Sequence, residues 1–262
     1  AFLDLARAYQ EQGNVNLAER TLVTGRTRFP NDIEIALELG KILIANGKER
    51  EKEGKAILKQ LTEQHKNDPR AYLVLAEYYE KRKIKYEVRV IFEDLLKYVG
   101  ERPEYISKLC DLYVKEALYD HAFKSCQKGI MKIPNEPLNY VNLATTYKET
   151  GQAEKAKSQF KKAADSFSKS EAALIAFAIY LDESKNFAES YPYWKKASQA
   201  NPLSSRAWVG LGFAALELQK YQESYEALEH YCETDKNAQI RVRTAANQLR
   251  LLKQDTWLSK MM

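Results

Sequence analysis

The 262 residues are 45% hydrophobic and 29% charged, with 41 Lys and Arg against 36 Asp and Glu, a formal net charge of +5. No long apolar run interrupts this balance, so the sequence predicts neither a transmembrane span nor a signal peptide, and the positive excess is modest for the length. Only ten Gly and seven Pro in a chain of dense helical period exclude a low-complexity chain and predict an all-α one.

Taken in order, residues 1–32 read as a helix–turn–helix unit carrying Phe2, Leu5-Ala6, Tyr9, Gly13, Ala18, Leu22, Gly25 and Pro30. The sequence begins at Ala1 without Met and already inside that unit. It is therefore expected to be a fragment or a processed product, with any targeting signal upstream. A second unit, 33–69, follows a helix cap at Asn31–Asp32 and runs through Leu39-Gly40 and Leu43. Its turn is predicted to be lengthened, with Gly47 to Gly54 separating the helices, because Pro30 and Pro69 are 39 residues apart. A third unit, 70–102, carries Tyr72, Leu75-Ala76, Tyr79, Val88, Phe92 and Leu95, and exits poorly at Gly100–Pro103.

Units 103–136, 137–170, 171–204 and 205–236 then repeat every 34 residues. Leu109, Leu143, Phe177 and Leu211 share a slot, each followed by a small residue: Cys110, Ala144, Ala178 and Gly212. Large apolar residues precede them by three, at Ile106, Tyr140, Leu174 and Trp208. The second helices carry Ala122, Ala156, Ser190 and Ser224, then Cys126, Phe160, Trp194 and Leu228. Small slots let antiparallel helices approach, and large ones fill the space between hairpins. The stretch 172–181 is apolar on every side, which predicts packing partners all round. Pro192 is expected in the first turn of a helix starting late, near Ser190. A capping helix is predicted over 238–254, with Arg241, Arg243, Arg250 and Lys253 outward, before a tail at 255–262.

This pattern resembles the tetratricopeptide repeat, most closely at Trp208-Val-Gly-Leu211-Gly212 with Tyr221, and at Tyr140-Val-Asn-Leu143-Ala144 with Tyr147, Ala156, Phe160 and Ala163. The resemblance implies one right-handed α-solenoid of seven tandem helix–turn–helix repeats over 1–262. Chaperone-binding members hold a C-terminal carboxylate with a Lys, Asn, Asn, Lys and Arg clamp. Only Asn142 sits suitably here; Ser107 and Asp111 precede it, and Ala172 and Ala176 follow, so that clamp is not assembled. The asparagine ladder of sugar-transferring members is also absent.

Each chemical motif has a structural explanation. Gly210-Leu-Gly212-Phe-Ala-Ala215 matches a dinucleotide-binding string but lacks a preceding strand, and Gly212 is the small packing slot. Gly47…Gly54-Lys55 has the wrong spacing for a phosphate loop. His65, His121 and His230 lie in different repeats with no ligand spacing, so no metal is expected. Cys110 and Cys126 fill core slots as small hydrophobes, which favours a reducing, cytoplasmic location; a periplasmic or lipid-anchored full-length form stays open. No catalytic grouping is found, so neither enzyme activity nor a cofactor is expected. Most tyrosines fall in packing slots. The basic run Lys81, Arg82, Lys83 and Lys85, with Arg89, reads as a solvated turn, and nucleic acid as an unlikely ligand.

The remaining lever is the first-helix face expected to line the concave groove. It is charged and mixed in repeats one to four: Arg7, Gln10, Glu38, Lys41, Glu77, Glu80, Lys108 and Asp111. From repeat five it becomes Val141, Asn142 and Thr145, then Ala172, Ile175 and Ile179, then Val209, Phe213 and Leu216, then Ile240. Bare apolar surface of that extent marks an interaction site. The reading is a protein-interaction scaffold binding an apolar helical or extended segment across repeats five to seven, in the general style of adaptors for bacterial secretion, pilus or polarity machinery. Against it stand a groove filled by the chain's own side chains or tail, a nucleic-acid or acidic-surface binder using Lys81–Arg89, and a regulatory or oligomerisation segment of a longer enzyme. Partners are expected to be protein or peptide, without membrane insertion, and homo-oligomerisation is left open.

Overall fold

The computed structural model describes residues 1–234, which form fourteen α-helices and one π-helix, with no strand among the described residues. The predicted capping helix with its four basic residues, the tail and Ile240 lie outside the described residues. The helices are α1 (Phe2–Glu11), α2 (Val15–Arg28), α3 (Ile33–Ala45), α4 (Lys48–Gln64), α5 (Pro69–Lys81), α6 (Lys85–Asp94), a π-helix (Leu95–Val99), α7 (Pro103–Lys115) and α8 (Tyr119–Lys132). They continue as α9 (Pro137–Glu149), α10 (Ala153–Ser166), α11 (Glu171–Glu183), α12 (Phe187–Ala200), α13 (Ser205–Glu217) and α14 (Tyr221–Thr234). Two compact units divide the chain, one over Ala1–His121 and the other from Ala122 onward.

Helix starts follow their capping chemistry. Asp32 accepts from the Ile35 amide at 3.1 Å, Asp68 from the Arg70 amide at 3.0 Å, and Ser204 from the Ala207 amide at 3.1 Å. Pro69, Pro103 and Pro137 occupy the first helical position, where a missing N–H is harmless. Six of the seven hairpin turns share one left-handed residue at a fixed place. Gly13 and Gly151 supply it at no steric cost, while Lys83, Ala117, Lys185 and Gln219 adopt it with φ of 56–59°.

In the N-terminal unit, α1–α2, α3–α4 and α5–α6 are successive hairpins, with α2 packed on α3, α4 on α5 and α6 on α7. The expected long turn after α3 is corrected. Helix α4 begins directly after Gly47, whose φ is 111°, so the extra residues add length to the helix. The run Lys48–Glu53 is rich in good helix formers and has no reason to remain a loop. Gly54 then lies inside α4 against α3, where a Cβ would stand 2.9 Å from the Ile44 amide nitrogen. The poor exit of repeat three is the π-helix, ended by Gly100 at φ 118°.

Many charges of this unit are paired. Lys41 meets Glu38 at 2.8 Å, Lys81 meets Glu77 at 2.7 Å, Lys115 meets Asp111 at 2.5 Å, and Lys108 meets Glu80. Glu51 accepts from the Tyr78 hydroxyl and from Arg82 at 2.6 Å, and lies 3.2 Å from Lys55. The Tyr78 hydrogen bond leads the causes that hold its carboxyl down to about 2, helped by Lys55 and Arg82 and opposed by burial. A lowered folded-state value contributes stability above the ordinary carboxylate range, and that contribution is lost as pH falls toward 2. Glu51→Gln is therefore expected to flatten the acid limb of stability between pH 5 and about 2, read by thermal melts across that range. An unchanged acid limb would rule out this assignment.

The C-terminal unit contains the hairpins α9–α10, α11–α12 and α13–α14, with α10 packed on α11 and α12 on α13. Its core joins Phe160, Leu174, Phe177, Leu181, Trp194 and Leu211. Pro192 corrects another expectation: α12 starts at Phe187, and Pro192 is an interior residue on its exposed side. The Ser190 amide already bonds the Asn186 carbonyl at 3.0 Å, so the repeat register sets the early start and the proline removes one donor further on.

Candidate functional site

Helix α11 is apolar all round because neighbours press on it from several sides: its own partner α12, the preceding α10, and the first helices α9 and α13. Ala173, Leu174, Ile175, Phe177, Ala178 and Leu181 are all buried. This packing decides how much of the first-helix face stays open. Ile175 belongs to the main core, with Val141 and Ile179 half-buried against it. Val209 and Leu216 are buried in a second cluster with Leu228 and Tyr231, flanked by half-buried Phe213. Bareness is thus confined to Val141, Thr145, Ile179 and Phe213, together with the exposed Ala172.

Asn142 is the polar member of the face. It is 9% exposed, and its Nδ2 is buried with no hydrogen-bond partner. The neighbouring hydroxyls are internally satisfied: Thr145 donates to the Val141 carbonyl at 2.9 Å and Thr146 to the Asn142 carbonyl at 2.8 Å.

A second polar feature was not read from the sequence. Asp182, at the end of α11, accepts from Ser190 Oγ and from Trp194 Nε1, the latter at 2.7 Å. Burial pushes its carboxyl above the ordinary range, against the two hydrogen bonds. Serine in a slot that holds Ala122 and Ala156 elsewhere was the available signal. The other such serine, Ser224, likewise finds a partner, donating to the Gly212 carbonyl at 2.8 Å. Both glycines of the dinucleotide-like string are helix contacts on α13. A Cβ on Gly210 would stand 2.4 Å from the Trp194 ring, and one on Gly212 would stand 2.6 Å from Leu228.

The basic run of the N-terminal unit is largely neutralised. Lys81 pairs with Glu77, and Arg82 with Glu51 while standing 3.9 Å above the Tyr78 ring. Arg89 bridges Glu93 and Glu116 at 2.8 and 2.9 Å. Lys83 and Lys85 are exposed on the turn. Five cations close in sequence are thus three solvated lysines, one of them paired at the surface, and two arginines tied to carboxylates. His121 stacks on Tyr113 at 5.1 Å, and His230 on Trp208 at 4.3 Å. No cluster of metal-ligating side chains occurs among the described residues. Cys110 and Cys126 are fully buried but neither is a free thiol, so the inference of a reducing compartment drawn from them lapses.

Residues 139–168 and 175–238 match two family models, each described as the tetratricopeptide repeat. Both stretches are thus tetratricopeptide repeats. Among solved structures the chain resembles a tetratricopeptide repeat protein from Parabacteroides merdae, at 14% identity and TM-score 0.63, covering 100% of this chain and 97% of that one. It also resembles yeast Tom70 at 18% identity and TM-score 0.61, covering 99% of this chain and 62% of that one. The Cut9–Hcn1 hetero-tetramer of APC/C gives 14% identity and TM-score 0.59, covering 99% of this chain and 52% of that one. These likenesses, all far below 25% identity, show the fold: an all-α solenoid of helical repeats. No curated protein matches the sequence. Tetratricopeptide repeats place the chain among protein-interaction scaffolds. No helix among the described residues is long and apolar enough to cross a membrane.

Proposed function

We propose that this chain is a non-catalytic adaptor, and that the first-helix face of repeats five to seven receives an apolar helical or extended segment of a partner protein. The observation that carries this reading is Asn142, whose buried Nδ2 has no acceptor. A buried donor left unmade costs about 1–3 kcal/mol, which a backbone carbonyl of an arriving peptide would relieve. The half-open Val141, Ile179 and Phe213 on α9, α11 and α13 would supply apolar contact beside that anchor. Self-neutralised charge in the N-terminal unit makes the acidic-surface alternative the weaker reading.

The test is affinity capture from the source lysate with the native chain, Ile179→Glu/Phe213→Glu and Asn142→Ala, with circular dichroism verifying the fold. Losing two apolar anchors, each worth about 1.5–3 kcal/mol, is expected to weaken capture more than about 100-fold. Asn142→Ala should weaken it while leaving stability equal or improved, since it removes an unmet donor. Binding should vary little with added salt. Capture that is indifferent to all three substitutions would exclude this face as the working surface.

A further inference from the structure

The second helices of the C-terminal unit carry a charge pattern that the partner groove does not use. Lys124 and Lys132 on α8, Lys155 and Lys162 on α10, and Lys195 and Lys196 on α12 are all exposed. None of the six makes an ion pair among the described residues. Within this unit the same helices hold only three acidic residues, and two are taken: Glu189 by Lys157 at 2.8 Å and Asp165 by Lys161. Glu154 alone is left against six cations. The pattern stops at α14, which holds four Glu and neither Lys nor Arg.

Helical spacing turns these lysines outward. Lys155 and Lys162, two turns apart, share a stripe opposite the buried Ala156, Phe160 and Ala164. Lys196 stands 34 residues after Lys162 and so fills the same repeat slot on α12. Met131, 75% exposed, lies two turns from Lys124 on the matching stripe of α8.

Three features narrow the class of anion that fits. Residues 103–205 contain no Arg, so no planar fork is available to read a base edge. Lys162 and Lys196 lie 5.5 and 5.3 Å from the ring centres of Tyr140 and Tyr193. Both rings are only 8% exposed, which leaves no platform for a base to stack on. Finally, Met131 and Leu203, at 75% and 82%, are the most exposed large hydrophobics among the described residues. One adjoins Lys132 and the other follows α12. Diffuse ammonium charge beside bare apolar side chains suits lipid headgroups better than nucleic acid.

We propose that the outer face of α8, α10 and α12 adsorbs to an anionic bilayer surface, its lysines over the headgroups and Met131 within the headgroup layer, without crossing the membrane. The first-helix face belongs to α9, α11 and α13, so lipid and a partner segment occupy different helices.

Co-sedimentation of the full chain with phosphatidylcholine vesicles, with and without phosphatidylserine at about one-third of the lipid, tests this. The chain should pellet only with the phosphatidylserine vesicles and be released as salt rises from about 0.1 to 0.5 M. Lys124→Gln/Lys162→Gln/Lys196→Gln should weaken partitioning about 100-fold with an unchanged circular dichroism spectrum, at about fivefold per lysine. Lys59→Gln/Lys83→Gln/Lys85→Gln, the same change of net charge placed in the N-terminal unit, should weaken it less than about threefold. Met131→Ser should cost about fivefold. Failure to pellet with either vesicle overturns the proposal, as does an equal loss in the two triple variants or no loss in the first. So does duplex DNA bound as tightly and lost with the same three lysines, which would make the face a nucleic-acid site.

Discussion

Arg89→Met is expected to destabilise the N-terminal unit by about 3 kcal/mol, the low end for breaking a buried ion pair because Glu93 keeps some solvent. The guanidinium bridges two carboxylates from different elements: Glu93 of α6 at 2.8 Å and Glu116, just past α7, at 2.9 Å. Glu116 Oε1 is buried without a hydrogen-bond partner, so losing the arginine leaves that carboxylate with no compensation on either oxygen. Tyr113 donates to Glu93 at 2.8 Å and stays protonated, since burial first and Glu93 second push its phenol upward. A fall of about 10 °C in the melting of this unit is the expected readout. Arg89→Lys should recover less than half, since one ammonium does not reproduce a planar fork that reaches two acceptors. A silent Arg89→Met would mean that the bridge is not made in solution.

The second large effect belongs to Gly210. Alanine in a helix interior gains about 1 kcal/mol over glycine, so propensity alone would favour adding a side chain. Sterics oppose it decisively. The added Cβ would lie 2.4–2.5 Å from three carbons of the Trp194 ring, which is 3% exposed and tied through Nε1 to Asp182. Gly210→Val is therefore expected to cost about 3 kcal/mol or more, by overpacking a rigid contact. Trp194→Leu alone should also destabilise, through the cavity and the lost bond to Asp182. Their combination should be better than the sum by at least about 1 kcal/mol, because each removes the obstacle to the other. Simple additivity in urea melts would show that the ring and the glycine do not meet.

What could be read in advance followed local rules. The 34-residue period, the Asp32 cap and the Gly212 slot depend on residues near in sequence or repeated in register, and a single chain displays them. What escaped depends on distance or on competition. The Gly47–Gly54 run resembled a turn because glycine bounds it on both sides; the helix propensity between them and the contact of Gly54 with Ile44 reverse that. Pro192 suggested a late start to α12, yet the fixed hairpin register outweighs one missing donor. Arg89 looked like part of a basic surface because its acidic partners stand 4 and 27 residues away. The first-helix face was traceable by helical geometry, residue by residue. Its partial closure was not, because that arises from neighbouring first helices packing on one another, and Ile175 and Leu216 spend their surface there.

The carboxylates of Glu51 and Asp182 depart from their ordinary range in opposite directions, and they belong to different units. Glu51 contributes stability that drains away as protons are added. For Asp182 the sign is reversed: its burial penalises the charged form, so that cost grows as pH rises from the ordinary aspartate range through the raised value. Acid therefore weakens the first unit through one group while relieving the second through the other. Along a single polypeptide, added protons thus carry opposite consequences at these two carboxylates.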